Sequence, residues 1–156
     1  MTRHVTPHTM RLSRDLKFPI ATVFTAWADP AAKAAWFTGP SDWECDPHAL
    51  DFRVGGRERS SGGPKGAPRH IMSAVFHEIV PPENGQARII SSFTMHVGET
   101  LLTVSLMTLE FTTTATGTQL KLTEQLVFLD GCDHIENREE GTHALLDMLE
   151  AYLNRQ

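Results

Sequence analysis

Toward the C-terminus, Leu145, Leu146, Leu149, Tyr152 and Leu153 recur at i, i+1, i+4, i+7 and i+8. That spacing puts them on one face of an α-helix. Ala144, Met148 and Ala151 widen the stripe, while Glu139, Glu140, Asp147 and Glu150 lie largely off it. The pattern predicts a helix over residues 133–153, roughly 30 Å long for about twenty residues. Asp133 with Glu136 forms one candidate capping box, and Asn137 with Glu140 a second. A helix this apolar on one side must bury that side. Almost everything before it reads as strand, so the partner is a sheet. The stripe reads first as core, and part of it as the roof of a ligand cavity.

Upstream, residues 1–8 are polar and expected to be flexible. Met10, Leu12, Leu16 and Phe18 share one parity of a strand over residues 9–18. Pro19 opens a short helix carrying Ile20, Val23, Phe24 and Trp27, which Asp29-Pro30 ends. Asp29 then caps a second short helix with Trp36 and Phe37, stopped by Gly39-Pro40. A strand over residues 43–52, interrupted by Pro47, leads to the turn at Val54-Gly55-Gly56. An edge strand over residues 57–61 precedes a loop over residues 62–68. The strand over residues 70–80 ends at Pro81-Pro82, and Asn84-Gly85 is a hairpin signal into residues 87–96. Gly98-Glu99 and Thr116-Gly117 turn into strands over residues 101–112 and 119–128. Ser105, Met107, Leu109 and Phe111 share one face, as do Leu120, Leu122, Glu124 and Leu126, which fits an antiparallel sheet buried on one side. The class is α+β, with hairpin-linked strands in a single domain over residues 9–156.

A chain of 156 residues can bury a full core. Its net charge of −5 argues against nucleic acid or an anionic membrane as partner. Cys45 and Cys132 form neither a framework nor a CxxC pair, which fits reduced thiols in the cytoplasm. The opening residues hold no apolar run, so no signal peptide or membrane anchor is expected.

With the elements placed, a resemblance becomes visible. Pro19, Val23-Phe24, Ala26-Trp27-Ala28-Asp29-Pro30, Trp36-Phe37 and Gly39-Pro40 resemble the opening of the activator-of-Hsp90-ATPase-homologue (AHSA1-like) branch of the START-like, or SRPBCC, superfamily. Asp51 to Gly56, Phe76-His77-Glu78-Ile79 with Pro81-Pro82, and Gly117-Thr118-Gln119-Leu120 with Leu122-Thr123 resemble its later segments in the same order. The last helix departs from the pattern: similar proteins usually carry Gly-Trp where this chain has Gly141-Thr142, a loss that should alter packing or enlarge the space beneath. The resemblance implies a helix-grip (Bet v 1-like) fold, a curved antiparallel sheet wrapped around the long C-terminal helix with a cavity between them. It implies function far less, since the superfamily spans lipid carriers, cyclases, receptors and co-chaperone domains.

Eight histidines invite a metal reading, but no HExxH and no zinc spacing appears, so no metal and no cofactor are expected. The glycine loop at 62–66 lacks the GxxxxGK[ST] pattern, no serine sits in GxSxG, and a cysteine nucleophile would need a base the sequence does not supply. No catalytic residue is assigned. Glu124 lies on an apolar parity between Leu122 and Leu126, and Ser92 and His96 share a parity in the neighbouring hairpin. A carboxyl facing a dry interior is neutral, paired or hydrogen-bonded; the bland alternative is a strand-end residue reaching water or an arginine. The cavity candidates are Trp27, Trp36, Ser92, His96, Met107, Leu109, Phe111, Leu122, Glu124, Leu145, Met148 and Leu149. The leading function is binding of a small apolar or amphipathic molecule. The alternatives are a cyclase- or hydrolase-type cavity enzyme using Glu124 or His96, and a chaperone-binding module. A homodimer is a further partner class.

Overall fold

The computed structural model describes residues 2–156. In chain order it runs β1 (Val5–Leu16), α1 (Ile20–Ala28), α2 (Pro30–Trp36), β2 (Glu44–Cys45), β3 (Ala49–Leu50), β4 (Arg57–Gly63), β5 (His70–Glu83), β6 (Gln86–Val97), β7 (Thr100–Thr114), β8 (Gly117–Leu129) and α3 (Ile135–Asn154). The strands form one eight-stranded antiparallel sheet in the order β1-β8-β7-β6-β5-β4-β2, with β3 paired to β4. The sheet curves around α3, and α1 and α2 close one end: a helix-grip fold, as the resemblance implied. Met10, Phe111, Leu120 and Leu122 of the sheet join Val23, Trp27 and Trp36 of the short helices and Leu146, Leu149 and Leu153 of α3 in one buried cluster.

Local chemistry accounts for most boundaries. The Asp29 carboxylate accepts from Ala32 N–H at 2.9 Å, with Pro30 in the first turn, so α2 starts where the sequence places it. Asn84 and Gly85 take φ of 53° and 73°, the double positive φ of a tight hairpin turn.

Several expectations need correction. Residues 5–8, expected to belong to a flexible opening stretch, lie in a strand. Strand β1 begins at Val5, and Val5 to His8 pair with Leu129 to Leu126, while Met1 lies outside the described residues. Pro7 is tolerated because β1 is an edge strand. Pro81-Pro82 does not end β5. Pairing with β4 stops at Val75, so the prolines meet no ladder on that side, and the strand runs on to Glu83 after a register shift. The strand expected over residues 43–52 is two short pieces on either side of Pro47, both paired to β4. Strand β4 itself takes in Gly62 and Gly63.

Neither capping box forms. His134 is the N-cap of α3, and Asp133 instead accepts from His134 N–H and the Asn137 amide at 2.8 and 3.0 Å. The buried face of α3 is Thr142, Leu146, Leu149 and Leu153. Leu145, Met148 and Tyr152 are half-buried, and Ala144 and Ala151 are exposed, so the stripe is narrower than the sequence suggested.

Candidate functional site

The helix does not fill the concave face. A cavity of about 1270 Å³ remains between the sheet and the N-terminal half of α3. This exceeds the roughly 300–1,000 Å³ of ordinary ligand pockets. Its walls are largely apolar: Met72 and Phe76 from β5, Ile89 and Phe93 from β6, Met107 and Leu109 from β7, Leu122 from β8, Leu145 and Met148 from α3. Ser41, Asp46 and Asn137 also line it and are exposed, so it opens to solvent between the segment after α2 and the start of α3.

Of the sequence-derived candidates, Trp27, Met107, Leu109, Leu122, Glu124, Leu145 and Met148 line this cavity. Trp36, Phe111 and Leu149 do not; they are fully buried core. The Trp36 indole donates to Ala26 O at 2.8 Å, and Phe111 packs edge-to-face on Phe24. Ser92 and His96 are corrected as well. The opposite parity of β6 (Ser91, Phe93, Met95 and Val97) faces the cavity. Ser92 bonds His77 on the outer face at 2.7 Å, and His96 shares its side. The alternation of Phe93, Met95 and Val97 with Ser92, Thr94 and His96 already marked Ser92 and His96 as outward, and this signal was missed.

Two polar clusters interrupt the apolar walls. The first holds Glu124, nearly fully buried, which accepts from the Arg138 guanidinium and from the Ser105 hydroxyl at 2.7 Å. Arg138 also donates to the Thr103 hydroxyl at 2.6 Å and lies over the Phe93 ring. Glu124 therefore faces the interior as expected, but as an ion-paired acceptor, not as a lone carboxyl donating to a ligand. Arg138 was legible and missed: stepping back from Leu145 and Leu146 through Thr142 reaches it on the same helical face.

The second cluster joins elements far apart in the chain. Lys33 of α2 donates to Glu58 of β4 at 2.8 Å, and His48, between β2 and β3, bonds the same carboxylate through Nε2 at 2.7 Å. All three line the cavity, and the Lys33 ammonium sits over the Trp27 and Phe37 rings. Burial pushes the Glu58 carboxyl up, but the Lys33 charge and the bonds from His48 and Lys33 outweigh it and hold Glu58 below its ordinary value. Burial pushes Lys33 down, and Glu58 opposes this only in part. Both shifts make the unfolded chain bind more protons than the folded one, so stability rises with pH through each window. The Glu58 contribution is complete above its ordinary value of 4.5 and is lost as pH falls through the lowered folded value. Melting temperature should therefore drop below that pH in the parent and drop less steeply in Glu58→Gln. Equal slopes in the two proteins would exclude Glu58 as a source of acid sensitivity. The sequence marked this cluster weakly, through one lysine in an alanine-rich helix three residues before Trp36.

Among the described residues no group of three or more His, Cys, Asp or Glu side chains is placed to hold a metal ion. Among the described residues, no helix is long and apolar enough to cross a membrane.

The fold is shared with known structures. A putative uncharacterized protein from Rhizobium leguminosarum is 40% identical over 100% of both chains, with a TM-score of 0.92. A Rhizobium loti protein is 36% identical over 96% of this chain and 99% of its own, with a TM-score of 0.85. The AHSA1-like protein from Aeromonas hydrophila, solved by NMR, is 22% identical over 95% and 93%, with a TM-score of 0.70, a likeness of fold alone. No curated protein matches the chain. The sequence profile described as activator of Hsp90 ATPase homolog 1-like protein matches residues 17–154. That match covers the short helices, seven of the eight strands and the long helix around the cavity, and the chain belongs to this family of the START-like (SRPBCC) superfamily.

Proposed function

We propose that the protein binds a small apolar or amphipathic molecule in the cavity between the sheet and α3. The observation that carries this reading is the cavity itself, about 1270 Å³ of mostly apolar-walled space opening to solvent. Apolar walls enclosing a space of this size offer an apolar ligand extensive packing contacts. Methionines at 72, 95, 107 and 148 suit it to ligands of varied shape, because the thioether chain adapts to its neighbour. Both cysteines are exposed and free, which supports a reducing compartment such as the cytoplasm.

Thr142 provides the test. It lies on the buried face of α3, donates to Arg138 O at 2.8 Å and lines the cavity. An indole placed there enters that space. The parent should gain thermal stability from fatty acids or apolar dyes, by about 2.7 kcal/mol at a hundredfold excess over Kd. Thr142→Trp should fold, as judged by circular dichroism, and gain much less. An equal thermal shift in both proteins would place the ligand elsewhere, and no shift with any member of a broad library would remove the reading.

A further inference from the structure

Arg138 has more donors than the fold uses. A guanidinium carries N–H donors on every nitrogen and no acceptor. Nη1 donates to Glu124 and Ser105, and Nη2 donates to the Thr103 hydroxyl. Among the described residues, Nε bonds to no acceptor, and it is not one of the atoms left buried without a partner, which are Trp27 Nε1 and His48 Nδ1. The Nε–H therefore reaches open space.

That space is the cavity. Arg138 lines it and keeps 11% of its side chain exposed. Its guanidinium is held between Glu124 and the Phe93 ring, and both of these line the cavity too. Lys33, the other lining cation, is differently placed: it is only 6% exposed, bonds Glu58 and sits over the Trp27 and Phe37 rings.

We propose that Arg138 Nε–H anchors the ligand by a carbonyl oxygen, and that the ligand is a neutral ketone, ester or amide on an apolar body. This rests on the cavity-binding reading and narrows its ligand class. The free group is a donor, so the ligand must bring an acceptor. A carbonyl oxygen accepts without adding a donor that would need a further partner between apolar walls. A carboxylate would also fit a guanidinium, but the charges decide against it. The lining lysine and arginine, Lys33 and Arg138, are already paired with Glu58 and Glu124. Asp46 is offset by Arg69, and Asp133 adds a further negative charge at the mouth. An anionic ligand would enter with no free lysine or arginine on the lining to balance it, and a buried charge without a partner is costly.

The probes are methyl nonyl ketone, the alkene of the same skeleton with methylene in place of oxygen, and decanoate. Each is titrated into the parent and into Arg138→Met with Glu124→Leu, which removes the guanidinium without stranding the carboxylate. The ketone should bind about tenfold more weakly to the double variant than to the parent, while the alkene changes little, a comparison in which the cost of leaving water cancels. The carbonyl stretch of the bound ketone should lie at lower wavenumber in the parent than in an alkane solvent, and return towards the solvent value in the double variant. Equal losses for ketone and alkene would overturn this inference and leave the cavity reading standing. Binding of neither to the parent would overturn both. Decanoate binding the parent more tightly than the ketone would overturn the neutral class. If the double variant fails to fold, the Arg138 Nε–H proton resonance of the parent decides: it should move with the ketone and not with the alkene, and a resonance that responds equally to both overturns the role of Arg138.

Discussion

Leu149→Asp is expected to yield no folded protein. Leu149 is completely buried and belongs to the cluster that joins α3 to the sheet and to α1. The substitution gives up about 1.5–3 kcal/mol of apolar burial. It also strands a carboxylate in an apolar interior, a cost of several kcal/mol more unless the group neutralises. Together these approach the 5–15 kcal/mol that holds a typical domain folded. Leu149→Ala, which leaves a cavity without a charge, should fold with about 2–5 kcal/mol less stability. Ala151→Asp, on the exposed side of the same helix, should melt close to the parent. Circular dichroism and thermal melts separate the three variants. A Leu149→Asp chain with the parent's melting temperature would show that α3 is not the core element.

Arg138→Met should be the most damaging change among the cavity's polar residues, at about 3–5 kcal/mol, because it leaves Glu124 buried without its cation. Glu124 is about 1% exposed and Arg138 11%, so water can hardly replace the lost partner. The Ser105 hydroxyl remains as one donor to Glu124, while the Thr103 hydroxyl loses the Arg138 donor. Removing both charges should be much milder. Arg138→Met with Glu124→Leu replaces an ion pair by apolar groups of similar volume, which is often neutral or stabilising. Denaturant midpoints of the parent, both single variants and the double variant give the coupling energy directly. A coupling near zero would mean that the pair is solvated in solution.

The outcome at Glu124 shows how far the sequence could be read. Its parity between Leu122 and Leu126 placed it inward, because a strand alternates whatever its neighbours do. Its partner is a tertiary fact, since Arg138 reaches it only when α3 lies across β8. Ser92 and His96 show the opposite case. In β6, Ser92, Thr94 and His96 alternate with Phe93, Met95 and Val97, so period two already put both polar candidates on the outer face and the signal was passed over. The cavity lining follows that alternation, with Ser91, Phe93, Met95 and Val97 facing in.

Local rules that depend on nearest neighbours were legible from the sequence alone. They include the helix over the Leu145–Leu153 stripe, the Asp29 cap, the Asn84-Gly85 turn and the alternation of β7 and β8. The motifs between Pro19 and Thr123, in their order along the chain, also pointed to the family and thus to a sheet gripping a helix. What only the tertiary structure decided are the contacts between residues distant in the chain. Lys33, His48 and Glu58 meet because α2, the β2–β3 segment and β4 converge at one end of the cavity. Periodicity carries no information about such a meeting, because each side chain's burial depends on elements whose packing is set by the whole core.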